Sequence, residues 1–278
     1  MRLAAARNGG KALLLLIAFC ALFGAPGWLL GGYNLLLLFV ACAFGIAGTV
    51  YAYGDRFVLG MLGARELPLA ELPLVHSTAE RLAARARVAK PKLYVLPDGH
   101  PRAFAVGRGP AGSAVAVSRG LLAALPHAEL EGVLAHELAH VRVRDVLVHT
   151  VAVVVGATLI ELSRIGGLME RILLFVLGPL ASAFVHLLLS PKREFAADRL
   201  AAELCETPHG LADALIRLEQ ATELVEFSAS PASAPIYTVD PFPREGLAAL
   251  FGTQPSVAER VARLRDLDPD WRAKLRAA

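Results

Sequence analysis

The residues best suited to chemistry are His136, Glu137 and His140, set as His-Glu-x-x-His in the run Val133-Leu134-Ala135-His136-Glu137-Leu138-Ala139-His140-Val141. On an α-helix, residues four apart differ by about 40° in azimuth, so the two imidazoles project to one side. Two neutral imidazoles at that spacing can bind one tetrahedral zinc ion. Glu137 then sits beside the metal, where it can take a proton from zinc-activated water and pass it to a leaving amine. The flanking residues are apolar. Burying two imidazoles and a carboxylate among them is costly unless the polar groups are paired or bound to a metal.

A third ligand must come from elsewhere. The pattern that continues the same strip with a glycine and a third histidine would need them at Val143 and Val146, and is excluded. Asp145 lies nine residues from His136, about 180° round the helix if the helix continues, so a structural role is expected for it. The better candidates are Glu194 and Asp198 in Arg193-Glu194-Phe195-Ala196-Ala197-Asp198. They are four apart on an expected helix. One can bind zinc while the other accepts a hydrogen bond from a ligand imidazole. The plain alternative is a charged helix face with Arg193 and Arg199. Among the other histidines, His149 and His186 lie in apolar segments and read as hydrogen-bonded core or interfacial residues. His76, His100, His127 and His209 sit near turns or helix starts and read as solvated.

The elements that must position these residues are legible in outline. A helix is expected from near Pro126, with Leu130, Val133, Leu134, Leu138 and Val141 as its apolar stripe. Ser77 and Glu80 have capping-box spacing ahead of Arg81–Ala86, a second expected helix. Leu93–Leu96, Ala103–Val106 and Ala114–Val117 read as strands separated by Gly and Pro, forming a small antiparallel sheet beside the helices. The stretch Ser228–Pro235 is a loop by composition.

The remainder reads as membrane protein. The chain is 55% hydrophobic and only 19% charged, with a mean hydropathy of +0.52. Soluble domains usually carry more charge. No charged residue occurs from Ala12 to Gly54, which is too long for one crossing and long enough for two. Gly31-Gly32-Tyr33-Asn34 divides it into expected spans at 12–30 and 35–53. Arg2, Arg7 and Lys11 precede the first span, and Arg56 and Arg65 follow the second. Both flanks are therefore expected in the cytoplasm. A second apolar region, 146–191, is divided by the charged link Glu161–Arg171. If His136, His140 and Glu194 share one metal, that region crosses the membrane twice or not at all. The domains expected are an N-terminal transmembrane hairpin at 1–54, the first part of a catalytic domain at 55–145, a second hydrophobic hairpin at 146–191 and the second catalytic part at 192–278. The net charge of +3 forms no basic stripe interleaved with aromatics, so no nucleic acid partner is expected. Three cysteines without Cys-x-x-Cys spacing suggest neither a disulfide framework nor a cysteine metal site.

Together these residues resemble the HtpX-type membrane zinc endopeptidases. The likeness is carried by Ala103-Phe104-Ala105 with Gly107-Arg108, by Val115–Leu122, and by the His136–His140 run with Arg144-Asp145. Arg193–Asp198 and Glu259-Arg260-Val261-Ala262-Arg263-Leu264 extend it. It covers nearly the whole chain. The resemblance implies one zinc ion per chain held by His136, His140 and Glu194, with Glu137 as general base. It implies a mainly helical, gluzincin-like fold whose small sheet offers an edge strand to an extended substrate. The implied role is proteolysis of misfolded or damaged membrane proteins at the cytoplasmic face of the bacterial membrane. The chain departs from the family at Arg102, where Asn is usual, and at Gln254, where His is usual. Arg260, Tyr237 or His209 are the candidates to supply the missing donor.

The function expected is thus a zinc-dependent endopeptidase acting on protein or peptide substrates in the lipid bilayer's vicinity. Backbone pairing along Ala103, Phe104 and Ala105 would give little side-chain selectivity. The alternative is a membrane adaptor or chaperone that retains a structural zinc. The intact Glu137 speaks against that, because a structural site needs no general base. Oligomeric state is not legible.

Overall fold

The uncharged N-terminal run folds into α1 (Arg2–Met61), a helix interrupted at one place. Gly31 has φ −161° and ψ 25°, and Gly32 has φ 63° and ψ −145°, the latter a conformation that is essentially glycine-only. The chain reverses there: a Cβ built on Gly24 would lie 3.0 Å from Leu36 Cδ1 and 3.1 Å from Val40 Cγ2. This is the turn expected at Gly31–Asn34. The returning half, Gly31–Met61, is long and apolar enough to cross a membrane. It extends well past residue 53, and Leu37, Leu38, Phe44, Ile46 and Phe57 face outward from it. The structure is a computed structural model describing residues 2–150, 154, 191–224 and 255–268. Most of the second apolar region therefore lies outside the described residues.

The described residues are mostly helical, with one four-stranded sheet. Helix α2 (Pro73–Ala86) begins earlier than the expected capping box. Pro73 sits in its first turn, where the missing N–H is no loss. Ser77 is inside the helix and donates to Leu74 O instead of capping. The strands are β1 (Arg65–Glu66), β2 (Lys92–Leu96), β3 (Ala103–Gly109) and β4 (Gly112–Ser118).

The sheet is mixed rather than antiparallel. Its order is β1-β2-β4-β3. β3 and β4 form a hairpin, and β4 inserts between β3 and β2, so it runs parallel to β2. The hairpin bulges between Gly107 and Gly109, at φ 134° and 119°. Among the described residues β3 is an outer strand of this sheet, in line with the edge strand that the family resemblance implied.

Alternation along the strands buries both faces. Leu93, Val95, Ala103, Ala105, Val115 and Val117 join the main core. Leu96, Phe104, Val106, Ala114 and Ala116 pack instead with Val58 and Leu59 at the end of α1. The period of two thus fastens the sheet to the helices of the main core on one side and to the apolar helix on the other.

Four more helices complete the main core after the short α3 (Arg119–Ala124): α4 (His127–Arg142), α5 (Pro191–Cys205), α6 (His209–Leu224) and α7 (Val257–Arg265). α4 follows Pro126 as expected, and all five residues of its predicted stripe are buried. It lies at the centre, packed against α2, α5, α6 and β3, while α7 packs on α5 and α6. The α4–α6 crossing is close: a Cβ on Gly132 would lie 2.5 Å from Leu211 N, and one on Gly210 would lie 2.4 Å from Ala128 O.

Candidate metal centre

His136, Glu137 and His140 are all buried on α4, in its last two turns. The next contributor is α5, which enters with Glu194 in its first turn and buries Glu194 and Asp198 on one face. Their i, i+4 spacing brings both carboxylates to the imidazoles. His136 Nε2 lies 3.2 Å from His140 Nε2 and 3.5 Å from Glu194 Oε2, and His140 Nε2 lies 3.6 Å from Glu194 Oε1. These three residues form the one group among the described residues that could hold a metal ion.

The donor set fits a tetrahedral metal. Zinc bonds of about 2.0–2.1 Å span tetrahedral edges of about 3.3–3.4 Å, and the three observed separations bracket that length. Nδ1 of His136 lies 2.9 Å from Asp198 Oδ1. That contact puts the ring proton on Nδ1 and turns the Nε2 lone pair toward the cluster. Two imidazole nitrogens and a carboxylate converging in a buried space are a donor set that could hold a cation.

Asp198 is fixed in turn by Arg260 of α7. The guanidinium grips it with two bonds, Nε to Oδ2 at 2.8 Å and Nη2 to Oδ1 at 2.7 Å. Arg260 Nη2 also lies 3.9 Å from Glu194 Oε2 and 3.5 Å from both ring nitrogens of His136. Among the described residues Arg260 is the largest fully buried side chain. In the structure its guanidinium is engaged with Asp198 through these two bonds.

The electrostatics follow from that packing. Burial alone would push the His136 imidazole down, but hydrogen bonds to Asp198 and Glu194 outweigh it and raise its pKa to about 9. Burial would raise the Glu194 carboxyl, yet His140, His136 and Arg260 pull it well below the usual carboxylate range. Asp198 is likewise held low against its burial, chiefly by Arg260.

The expectation for Asp145 is corrected. α4 does not continue past it: Val143 caps the helix, and Arg144 adopts a left-handed φ of 62°. The chain turns, residues 145–150 are helical again, and Asp145 comes back to within 3.7 Å of His140 Nδ1. Arg is an unusual left-handed residue, so residue type gave no signal for the turn. The histidines at 76 and 100 are buried, not solvated, and His76 Nε2 lies 3.1 Å from Leu67 O. His209 pairs with Asp268 at 3.0 Å. His149 is buried, its ring 4.9 Å from that of His140.

Ala103, Phe104 and Ala105 are buried on β3, which packs against α4. Arg102 is committed locally: its guanidinium pairs with Asp98 and its backbone N–H donates to Ser118 Oγ at 3.0 Å. Tyr237 and Gln254 lie outside the described residues.

The sequence profile described as "Peptidase family M48" matches residues 70–268. Among curated relatives, a "Protease HtpX homolog" of Salinibacter ruber is 37% identical over 270 residues, covering 94% of this chain and 98% of the relative. Homologues of the same description from Acidiphilium cryptum and Aquifex aeolicus are 39% and 37% identical, each over at least 90% of both chains. Among solved structures, S. mikatae Ste24p shares the fold with a TM-score of 0.50 at 19% identity; the match covers 95% of this chain and 63% of that one. With the helix-borne His-Glu-x-x-His, a glutamate on a second helix and a profile match over most of its length, the chain belongs to peptidase family M48 and is an HtpX-type metalloprotease.

Proposed function

We propose that the chain is a zinc-dependent endopeptidase of the bacterial cytoplasmic membrane, with His136, His140 and Glu194 as ligands of one zinc ion. The observation that carries this reading is the triangle of donor atoms at 3.2, 3.5 and 3.6 Å. When bound, the metal supplies Lewis acidity, which makes hydroxide available near neutral pH and polarises the scissile carbonyl. The other steps belong to the protein. Glu137 takes a proton as water attacks the carbonyl carbon, then delivers it to the amide nitrogen as the C–N bond breaks. Asp198, clamped by Arg260, keeps His136 in the tautomer that faces the cluster. An extended substrate would pair with β3 along Ala103–Val106, so that backbone rather than side chains is read.

The membrane topology proposed has α1 as a hairpin crossing twice and 146–191 as a second hairpin, with the parts at 55–145 and 192–278 in the cytoplasm. Support comes from the reversal at Gly31–Gly32, the outward-facing apolar residues of Gly31–Met61 and the arginines flanking the N-terminal apolar run. A catalytic domain packed directly on that helix suits misfolded or damaged membrane proteins as substrates.

Cleavage of casein by the purified full chain tests the reading. Activity should vanish on chelation and return with zinc. Glu137→Gln should lower turnover about 10²- to 10⁴-fold. Equal activity of this variant and the wild type would contradict it.

A further inference from the structure

The second imidazole has a backing that no motif announces. Nδ1 of His140 is buried and has no hydrogen-bond partner. Facing it is the carboxylate of Asp145, with Oδ2 at 3.7 Å, beyond hydrogen-bonding range. Asp145 is itself buried, and its other oxygen lies 3.0 Å from Nη1 of Arg193. His140, Asp145 and Arg193 thus repeat the order of imidazole, carboxylate and guanidinium that His136, Asp198 and Arg260 show for the other ring. Asp145 and Arg193 also flank the apolar run 146–191 in sequence. Their ion pair ties the two ends of that run together beside the cluster.

A ring that gives Nε2 to a metal carries its proton on Nδ1. Left buried without an acceptor, that N–H is costly. A shift of about 1 Å brings it within hydrogen-bonding distance of Asp145. We propose that Asp145, held by Arg193, is the positioning residue of His140: its carboxylate accepts the Nδ1–H of the metal-bound ring and fixes the ring toward the cluster. This rests on the reading of His140 as a metal ligand.

Zinc release from the zinc-loaded full chain to a chromophoric chelator tests it, in wild type, Asp145→Asn, Asp145→Ala and Glu129→Gln. The last breaks the ion pair of Glu129 with Arg217, at 2.8 Å, toward the other end of the same helix. Release should be about 10- to 100-fold faster in Asp145→Ala, intermediate in Asp145→Asn and unchanged in Glu129→Gln. The visible spectrum of cobalt-loaded protein should shift in the two Asp145 variants only. Release from Asp145→Ala within about twofold of wild type overturns the proposal, and so does equal acceleration by Glu129→Gln. If Asp145→Ala does not fold, Asp145→Asn decides: accelerated release supports the proposal, and wild-type release overturns it. A wild-type chain that holds no zinc overturns the ligand reading with it. Tight zinc in both wild type and Asp145→Ala overturns this proposal alone.

Discussion

Arg260 is fully buried, and its charge is compensated by Asp198 through two short bonds. Breaking one partner of such a pair leaves an uncompensated buried charge and costs about 3–5 kcal/mol, whereas replacing both with apolar groups is often neutral. Arg260→Met should therefore destabilise the chain strongly. The double variant Arg260→Met with Asp198→Leu should recover most of the folding stability while its zinc affinity stays about 10- to 100-fold down. Thermal unfolding beside zinc titration checks this, and recovery of both together would mean that Asp198 does not position His136. At this scale the sequence was most informative where contacts are local. His136, Glu137 and His140 are set by helical spacing, and the pairing of Glu194 with Asp198 by the same rule. Spacing alone left open which of those two carboxylates would be the ligand; the family resemblance named Glu194, whose oxygens lie 3.5 and 3.6 Å from the two imidazole nitrogens. The engagement of Arg260 by Asp198, 62 residues earlier, and the return of Asp145 after a left-handed arginine were beyond local spacing.

Among the elements, α4 carries the site only because α6 can approach it closely. Gly132 faces the backbone at Leu211, where an added Cβ would lie 2.5 Å from N and 2.8 Å from Cα. Backbone cannot yield as a side chain tip can. Gly132→Ala should cost about 1–3 kcal/mol by overpacking and lower the thermal midpoint, whereas alanine at Gly112, with open space around it, should not. Equal midpoints for Gly132→Ala and wild type would show that the crossing relaxes freely. The helices were legible from their apolar period, since all five stripe residues of α4 are buried. The sheet was legible as strands but not as an order. Strand periodicity specifies which faces are buried, yet nothing in it states that β4 would insert between β2 and β3. Likewise Pro73, not the Ser77–Glu80 spacing, marks the start of α2.

The whole molecule joins an apolar helix to a protease core through one sheet, with Val58 and Leu59 packed against Phe104, Val106, Ala114 and Ala116. The end of α1 thus packs directly on the strand that would receive substrate. With the cytoplasmic domain assignment proposed, the Gly31–Asn34 turn lies on the outer face. A cysteine placed at Asn34 should react with a membrane-impermeant maleimide added outside intact cells, and protection there would reverse the orientation. Hydropathy made the N-terminal apolar run legible and its double glycine the turn; the returning half is the one helix among the described residues long and apolar enough to cross a membrane. The central claim is that one metal ion is held by His136, His140 and Glu194 while Glu137 serves the chemistry alone. Zinc content per full-length chain, measured by elemental analysis, tests it most directly. The account predicts about one zinc in wild type and in Glu137→Gln, and almost none in His140→Ala or Glu194→Ala. Stoichiometric zinc in Glu194→Ala, or its loss in Glu137→Gln, would contradict it.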